Sequence, residues 1–182
     1  ALDYGDLPAP YLTTEVQDGP RHAVTPTPEL YLGSVVDIDP DRQPDADAGE
    51  VDGGDDGDST GGDDEDGVIE PAMLFQGEAA AFQVAVVNKT ASLAYVYGYI
   101  DWNQDGDFVD ADEVQTTTVA ANTSATVTLT FNVPLGATIN ADLGARFRVG
   151  TVQNEVDQAT GFAMNGEVED YLVRVKGLDY GD

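Results

Sequence analysis

Leu93-Ala94-Tyr95-Val96-Tyr97-Gly98-Tyr99-Ile100 runs without a break into Asp101-Trp102-Asn103-Gln104-Asp105-Gly106-Asp107-Phe108. The first half alternates Tyr95, Tyr97 and Tyr99 with Ala94, Val96, Gly98 and Ile100, which is the two-residue period of a β-strand. The second half places oxygen-bearing side chains at 101, 103 and 105. Gly106 then permits the sharp turn that lets three alternating side chains converge on one cation. The junction reads as a strand that ends in a calcium loop. Asp112 falls at the twelfth place, where such loops put their last ligand, with Asp instead of the usual Glu; Glu113 stands one step later. The expected ligands are Asp101, Asn103, Asp105, Asp107 and either Asp112 or Glu113. Calcium is favoured over magnesium because the donors are many, all oxygen and carried on a loop. It is favoured over zinc because Cys is absent and His occurs once. The plain alternative is an acidic turn that stays solvated.

Outward from this junction the texture is that of strands. Phe82, Val84 and Val86 alternate with Ala81, Gln83 and Ala85, and Ala125, Val127, Leu129, Phe131 and Val133 alternate with Thr126, Thr128, Thr130 and Asn132. Ala145, Phe147 and Val149 are expected to face inward, with Arg146 and Arg148 outward. Tyr171, Val173 and Val175 repeat the pattern in a last strand. Short strands parted by Gly, Pro, Asn and Asp turns, with no convincing helix, indicate an all-β chain: an antiparallel β-sandwich, Ig-like or jelly-roll-like, over residues 68–177. Four of the seven bases lie on the last two strands. They either screen the acidic loops or decorate solvated strand faces.

Residues 1–67 read as a lead-in and an acidic segment packed on that sandwich, so that the whole forms one structural unit. Pro8, Pro10, Pro20, Pro26 and Pro28 mark residues 7–30 as extended or looped, and residues 31–36 form a candidate short strand. Asp37, Asp39 and Asp41 repeat the alternating spacing of the central loop, with Arg42 where a Gly is expected. Residues 45–67 are rich in Gly and acids, a composition that stays disordered unless ions order it. Asp63, Asp64, Glu65 and Asp66 form its densest carboxylate group. A second metal region is therefore expected from Asp37, Asp39, Asp41, Asp63, Asp64, Glu65 and Asp66, joined by Glu169 and Asp170. Glu167, Glu169 and Asp170 precede an apolar strand, where metal contact, structural hydrogen bonds and a solvated strand entry compete. Leu2-Asp3-Tyr4-Gly5-Asp6 recurs as Leu178-Asp179-Tyr180-Gly181-Asp182. The second copy reads as the start of a following unit in a tandem array.

The chain of 182 residues carries 35 acids against 7 bases, a formal net charge of -28. That balance excludes nucleic acid and anionic membrane as partners and favours cations. Residues 37–66 hold fourteen acids against Arg42 alone. Such segments repel themselves unless ions neutralise them. No apolar run is long enough to span a membrane, and no export signal opens the chain. Without Cys there are no disulfides, and calcium is an alternative brace for an extracellular protein. One His and no GxSxG setting argue against a nucleophilic triad, and nothing marks two of the 35 acids as a glycosidase pair. His22 is read as a structural residue of the lead-in.

At Gly166-Glu167-Val168-Glu169-Asp170-Tyr171 the chain resembles the GEVED domain, a repeat module of large bacterial surface and secreted proteins. LDYGD at residues 2–6, Gly19-Pro20-Arg21-His22-Ala23, Tyr31-Leu32-Gly33-Ser34, the DDEDGV run at 63–68 and DWNQDGDF at 101–108 agree with it in order. The resemblance implies an extracellular or cell-surface, calcium-associated β-sandwich, more than one Ca2+ ion, and a structural or adhesive role without catalysis. It favours Glu113 over Asp112 as the closing ligand. The chain departs from the family's usual DxExDG at Asp37, Asp39, Asp41 and Arg42. Adjacent repeats are the implied partners, with surface glycans or proteins beyond them. A competing reading is a calcium-dependent carbohydrate-binding module that stacks sugars on Tyr95, Tyr97 and Tyr99, although such a stripe more often marks sheet packing or a face covered by a long loop.

Overall fold

The computed structural model describes residues 1–34, 36 and 65–178. Asp37, Asp39, Asp41, Asp63 and Asp64, and the second LDYGD copy beyond Leu178, lie outside the described residues. The strands, in chain order, are β1 (Leu2–Tyr4), β2 (Arg21–Ala23), β3 (Leu30–Leu32), β4 (Val68–Ile69), β5 (Leu74–Phe75), β6 (Ala79–Asn88) and β7 (Ala94–Ile100). They continue with β8 (Val114–Val119), β9 (Thr123–Asn132), β10 (Leu143–Gly150), β11 (Phe162–Ala163), β12 (Glu167–Val173) and β13 (Val175–Lys176). A four-residue helix, α1 (Gln153–Val156), is inserted between β10 and β11. The protein is all-β, with antiparallel pairing dominating its two main sheets.

One main sheet runs β12-β10-β7-β8, every pair antiparallel. The other is built on β6. One edge of β6 takes β9 along its whole length, from Ala79↔Asn132 to Asn88↔Thr123, and the other edge is shared by β3 and β4. The alternation read from the sequence now has a cause. Ala80, Phe82, Val84 and Val86 of β6 and Leu129 and Phe131 of β9 face Ala94, Val96 and Ile100 of β7, Ala145, Phe147 and Val149 of β10, and Tyr171 and Val173 of β12. Phe82 meets Phe131 edge-on at 5.6 Å and Phe147 at 5.7 Å. Each of these Phe side chains stabilises the fold by about 1.5–3 kcal/mol through burial.

The outer face of the β12-β10-β7-β8 sheet is not left to solvent. Leu7 and Tyr11 from the lead-in, Phe108 from the central loop, Val156 of α1 and Ala163 of β11 close over Tyr97 and Tyr99 as a second apolar cluster. The lead-in contributes β1 and β2, which pair antiparallel, while β2 pairs in parallel with β11. This third layer decides how the tyrosine stripe sits and corrects the expectation for the two arginines. Tyr97 and Tyr99 are buried, their hydroxyls bonded to the Gln153 amide and the Val156 carbonyl, while Tyr95 packs half-buried at the edge of the same cluster. Arg146 and Arg148 do point away from the core between the sheets, yet both are fully buried, because the cover supplies carbonyl and carboxylate oxygens for their guanidinium groups.

Candidate metal centre

The central loop is fastened at both ends before any side chain reaches for a cation. Where β7 ends, the Asp101 amide donates to Gly144 O at 3.0 Å and the Ile100 amide to Glu113 O at 2.9 Å. Trp102 turns into the core against Phe131, with ring centroids 6.0 Å apart, and its indole N–H donates to Asp112 O at 2.9 Å. Its carbonyl accepts from the Thr138 amide at 2.7 Å. An exposed loop thereby hangs from a buried indole.

Between these fastenings the short polar side chains fold the backbone onto themselves. Asn103 Oδ1 accepts from the Asp105 amide, Asp105 Oδ1 from the Asp107 amide and Asp107 Oδ1 from the Val109 amide, each at 3.1–3.2 Å. Three such side-chain-to-backbone turns in succession curve the loop, and Gly106 takes a φ of 93° within it. The buried Asp101 carboxylate organises the start: it accepts from the amides of Asp105 and Gly106 and from the Tyr11 hydroxyl. The buried Glu113 carboxylate organises the end, accepting from the Trp102 amide at 3.2 Å and the Asp110 amide at 3.0 Å. Burial, reinforced by the charges of Asp101 and Asp110, pushes the Glu113 carboxyl up to about 7. Asp112 adopts φ 68° and is exposed; it contributes its carbonyl to Trp102. Of the two closing candidates, Glu113 is the one turned into the loop.

Asn103 Nδ2 lies between two carboxylates, 2.9 Å from Asp105 Oδ2 and 2.7 Å from Asp110 Oδ2. Asn103, Asp110, Glu113 and Trp102 line a cavity of about 330 Å3. Asp107 instead lines a separate cavity of about 340 Å3 with Leu12, Phe108, Arg146 and Ala159. Among the described residues no three acids or histidines are gathered as a metal-ion group. The donor set nevertheless fits a hard divalent cation. Asp105, Asp110 and Glu113 offer carboxylate oxygen, the Asn103 carboxamide would present its oxygen to a cation if it turned its amino group away from Asp105 and Asp110, and among the described residues their hydrogen-bond partners here include no Lys or Arg.

The acids of residues 167–170 serve differently. Asp170 takes the Arg146 guanidinium in a two-pronged pair at 2.7 Å and accepts in addition from the amides of Asp6 and Leu7 at 2.8 and 2.9 Å. Glu167 accepts from the Leu32 amide; Glu169 accepts from the Gly67 amide at 3.0 Å and the Tyr171 hydroxyl at 3.0 Å. Gly166 enters this strand at φ 88°, with Val149 O only 1.8 Å from where a Cβ would stand. These carboxylates tie the lead-in, β3 and the start of β4 to β12. For Asp170 every hydrogen bond seen is a structural one, to Arg146 and to the amides of Asp6 and Leu7. Of the second metal region, Asp66 is seen accepting from the amide and hydroxyl of Ser34. Glu65 lies close enough to Tyr171 to raise its hydroxyl, though less than burial and Glu169 do.

Residues 95–174 match the GEVED domain. The GEVED match opens at Tyr95 in β7 and closes just after β12, so it spans the central loop, both buried arginines and the Gly166–Tyr171 string, while the lead-in lies before it. No curated protein matches the chain. Among solved structures, the chain is similar to the CARDB domain of the PF1109 protein from Pyrococcus furiosus, solved in complex with di-metal ions. The identity is 17%, the match covers 60% of this chain and 84% of that one, and the TM-score is 0.36. At that score the likeness carries no argument about this chain. No helix among the described residues is long and apolar enough to cross a membrane.

The sequence pattern does not point to Tyr11, and Asp110 stands outside the expected ligand set. Asp110 carried a signal in its place two residues before Asp112. Tyr11 carried none, because its partner lies ninety residues away.

Proposed function

We propose that the chain is a calcium-stabilised structural or adhesive module of a large bacterial cell-surface or secreted protein, with no catalytic role. One observation carries the reading: Asp105 and Asp110 converge on a single amide nitrogen beside the buried Glu113, in a loop anchored to the core by Trp102. Two carboxylates gathered on a neutral donor, and a third whose carboxyl is pushed up by burial and by the charges of Asp101 and Asp110, describe a site crowded with negative charge, which a divalent cation relieves. Asp101, Asn103, Asp105, Asp110 and Glu113 would hold Ca2+, which supplies charge neutralisation and ties the loop ends together. Asp101 orients the first turn, Trp102 fixes the depth of the loop, and Glu113 closes it. With fourteen acids in residues 37–66, further ions would neutralise that segment as well.

The function follows from linkage: an ion that binds only the folded form stabilises it, by about 3 kcal/mol at a hundredfold excess over its dissociation constant. Neighbouring units of the same chain are the proposed partners, with surface glycans or proteins as adhesion targets. Calorimetric titration of the calcium-free protein tests the site. Calcium should bind with heat that Asp105→Ala removes, and an unchanged titration in that variant would exclude the loop.

A further inference from the structure

The pentapeptide Leu2-Asp3-Tyr4-Gly5-Asp6 fills a slot that specifies nearly every one of its residues. β1 pairs with β2 in the register Leu2↔Ala23, Asp3↔His22, Tyr4↔Arg21. Asp3 Oδ2 accepts from the buried Val168 amide at 2.8 Å. The Gly5 amide donates to Pro20 O at 3.3 Å, and the Asp6 amide to Asp170 Oδ2 at 2.8 Å. Asp3, Tyr4 and Asp6 are all buried. At Gly5 a Cβ would stand 2.6 Å from Asp170 Oδ2, 2.8 Å from Pro20 Cγ and 3.0 Å from Arg146 Nη2. Because Asp170 is held by Arg146 on two prongs, the carboxylate has nowhere to retreat, and only glycine fits.

A segment so constrained recurs, identical, at Leu178–Asp182. The slot on this unit is already occupied by residues 2–6. We infer that the second copy is the plug for the corresponding slot on a second unit of the same construction, made from that unit's own β2, the amide before its Glu169 counterpart and its Arg146–Asp170 pair. β13 ends at Lys176, so Gly177 alone separates the last strand of this unit from the plug. A single intervening residue spans at most roughly 7 Å between flanking Cα atoms. The second unit must therefore sit directly against the β13 end of the first, where Ile139 is exposed and bridges to Val175. Consecutive units meet as a plugged joint with no flexible linker. The inference rests on the tandem-repeat reading of residues 178–182 and is independent of the metal.

The test uses the 182-residue chain, whose slot is filled by residues 2–6. Gly5→Ala expels the first plug and opens the slot, and Leu178–Asp182 of one molecule should then fill the slot of another. Wild type should sediment as a monomer. Gly5→Ala should shift with concentration to twice that mass or more, and Gly5→Ala/Gly181→Ala should return to a monomer. If Gly5→Ala proves poorly folded, a synthetic peptide of residues 177–182 should raise its melting temperature while the same peptide carrying Gly181→Ala does not. A Gly5→Ala chain that stays monomeric and ignores the peptide overturns the inference, as does association that survives Gly181→Ala. Association that depends on Gly181 with no response to calcium would keep the inference and remove the metal reading.

Discussion

The Tyr11 hydroxyl donates to Asp101 Oδ2 at 2.9 Å and accepts from the Gly144 amide at 2.8 Å, so that the lead-in, the central loop and β10 meet at one oxygen. Tyr11 also stacks on Phe108, with ring centroids 5.4 Å apart. Burial first, and then the charge of Asp101, hold the phenol well above its usual range, so it remains a neutral donor. Tyr11→Phe leaves the ring contact and deletes the donor. It should cost about 1–3 kcal/mol in chelator, the penalty of an under-satisfied buried carboxylate. In calcium the deficit should shrink, because the ion takes over the neutralisation of Asp101. Paired thermal melts measure both values.

The Arg146–Asp170 pair predicts a loss of another kind. Removing one member of a buried ion pair strands the other charge, at a cost of about 3–5 kcal/mol. Asp170→Asn should lower the urea midpoint by the same amount in calcium and in chelator. A loss seen only in calcium would make Asp170 a metal ligand instead.

His22 sets an acid limit. Its Nε2 lies 3.1 Å from Arg148 Nε, which can only donate, so Nε2 is the bare acceptor and Nδ1 carries the proton to Asn165 O at 2.9 Å. Burial, and then the Arg148 charge, push its pKa well below 6.5. The unfolded chain takes up a proton below about pH 6.5 that the folded chain refuses, so stability falls as the pH drops from there, by up to about 1.4 kcal/mol per unit. His22→Gln keeps an acceptor and a donor without the titration. Its stability relative to wild type should improve as the pH is lowered from 7 to 5, read from urea midpoints.

Glu113 acts in the opposite direction. Its folded carboxyl titrates near 7 against an ordinary 4.5. The calcium-free folded form therefore holds a proton that the unfolded chain has lost, and stability falls as the pH rises from about 4.5 to 7. Glu113→Gln should flatten that limb in chelator and should also lose the gain from calcium. Chemical denaturation between pH 5 and 8 reports both effects.

The parts of the fold that were legible are those whose cause is local. β6, β9 and the inward residues of β10 follow from two-residue alternation, which a half-buried strand imposes on its own sequence. Alternation says which residues share a face, but not what covers it. Arg146 and Arg148 read as solvent-facing because the carbonyls of Leu12, Gln158, Ala159, Thr160 and Gly161 that receive them come from the lead-in and the loop after α1. The cover over Tyr97 and Tyr99 likewise comes from distant segments, the lead-in and the helix region. Residues 167–170 were visible as acids placed beside an apolar strand, yet their backbone partners at residues 6, 7, 32 and 67 are more than a hundred residues away. The central loop was legible as a donor pattern. Spacing left Asp112 and Glu113 open as the closing residue and the family resemblance favoured Glu113; the left-handed turn at Asp112 is a conformation that no spacing displays.

The measurement that bears most directly on the calcium reading is a pair of melts of wild type, in excess calcium and in chelator, repeated for Asp105→Ala. Calcium at a hundredfold excess should raise the wild-type midpoint by roughly 6–12 °C, and Asp105→Ala should show little of that difference. Identical wild-type midpoints in calcium and chelator would contradict it.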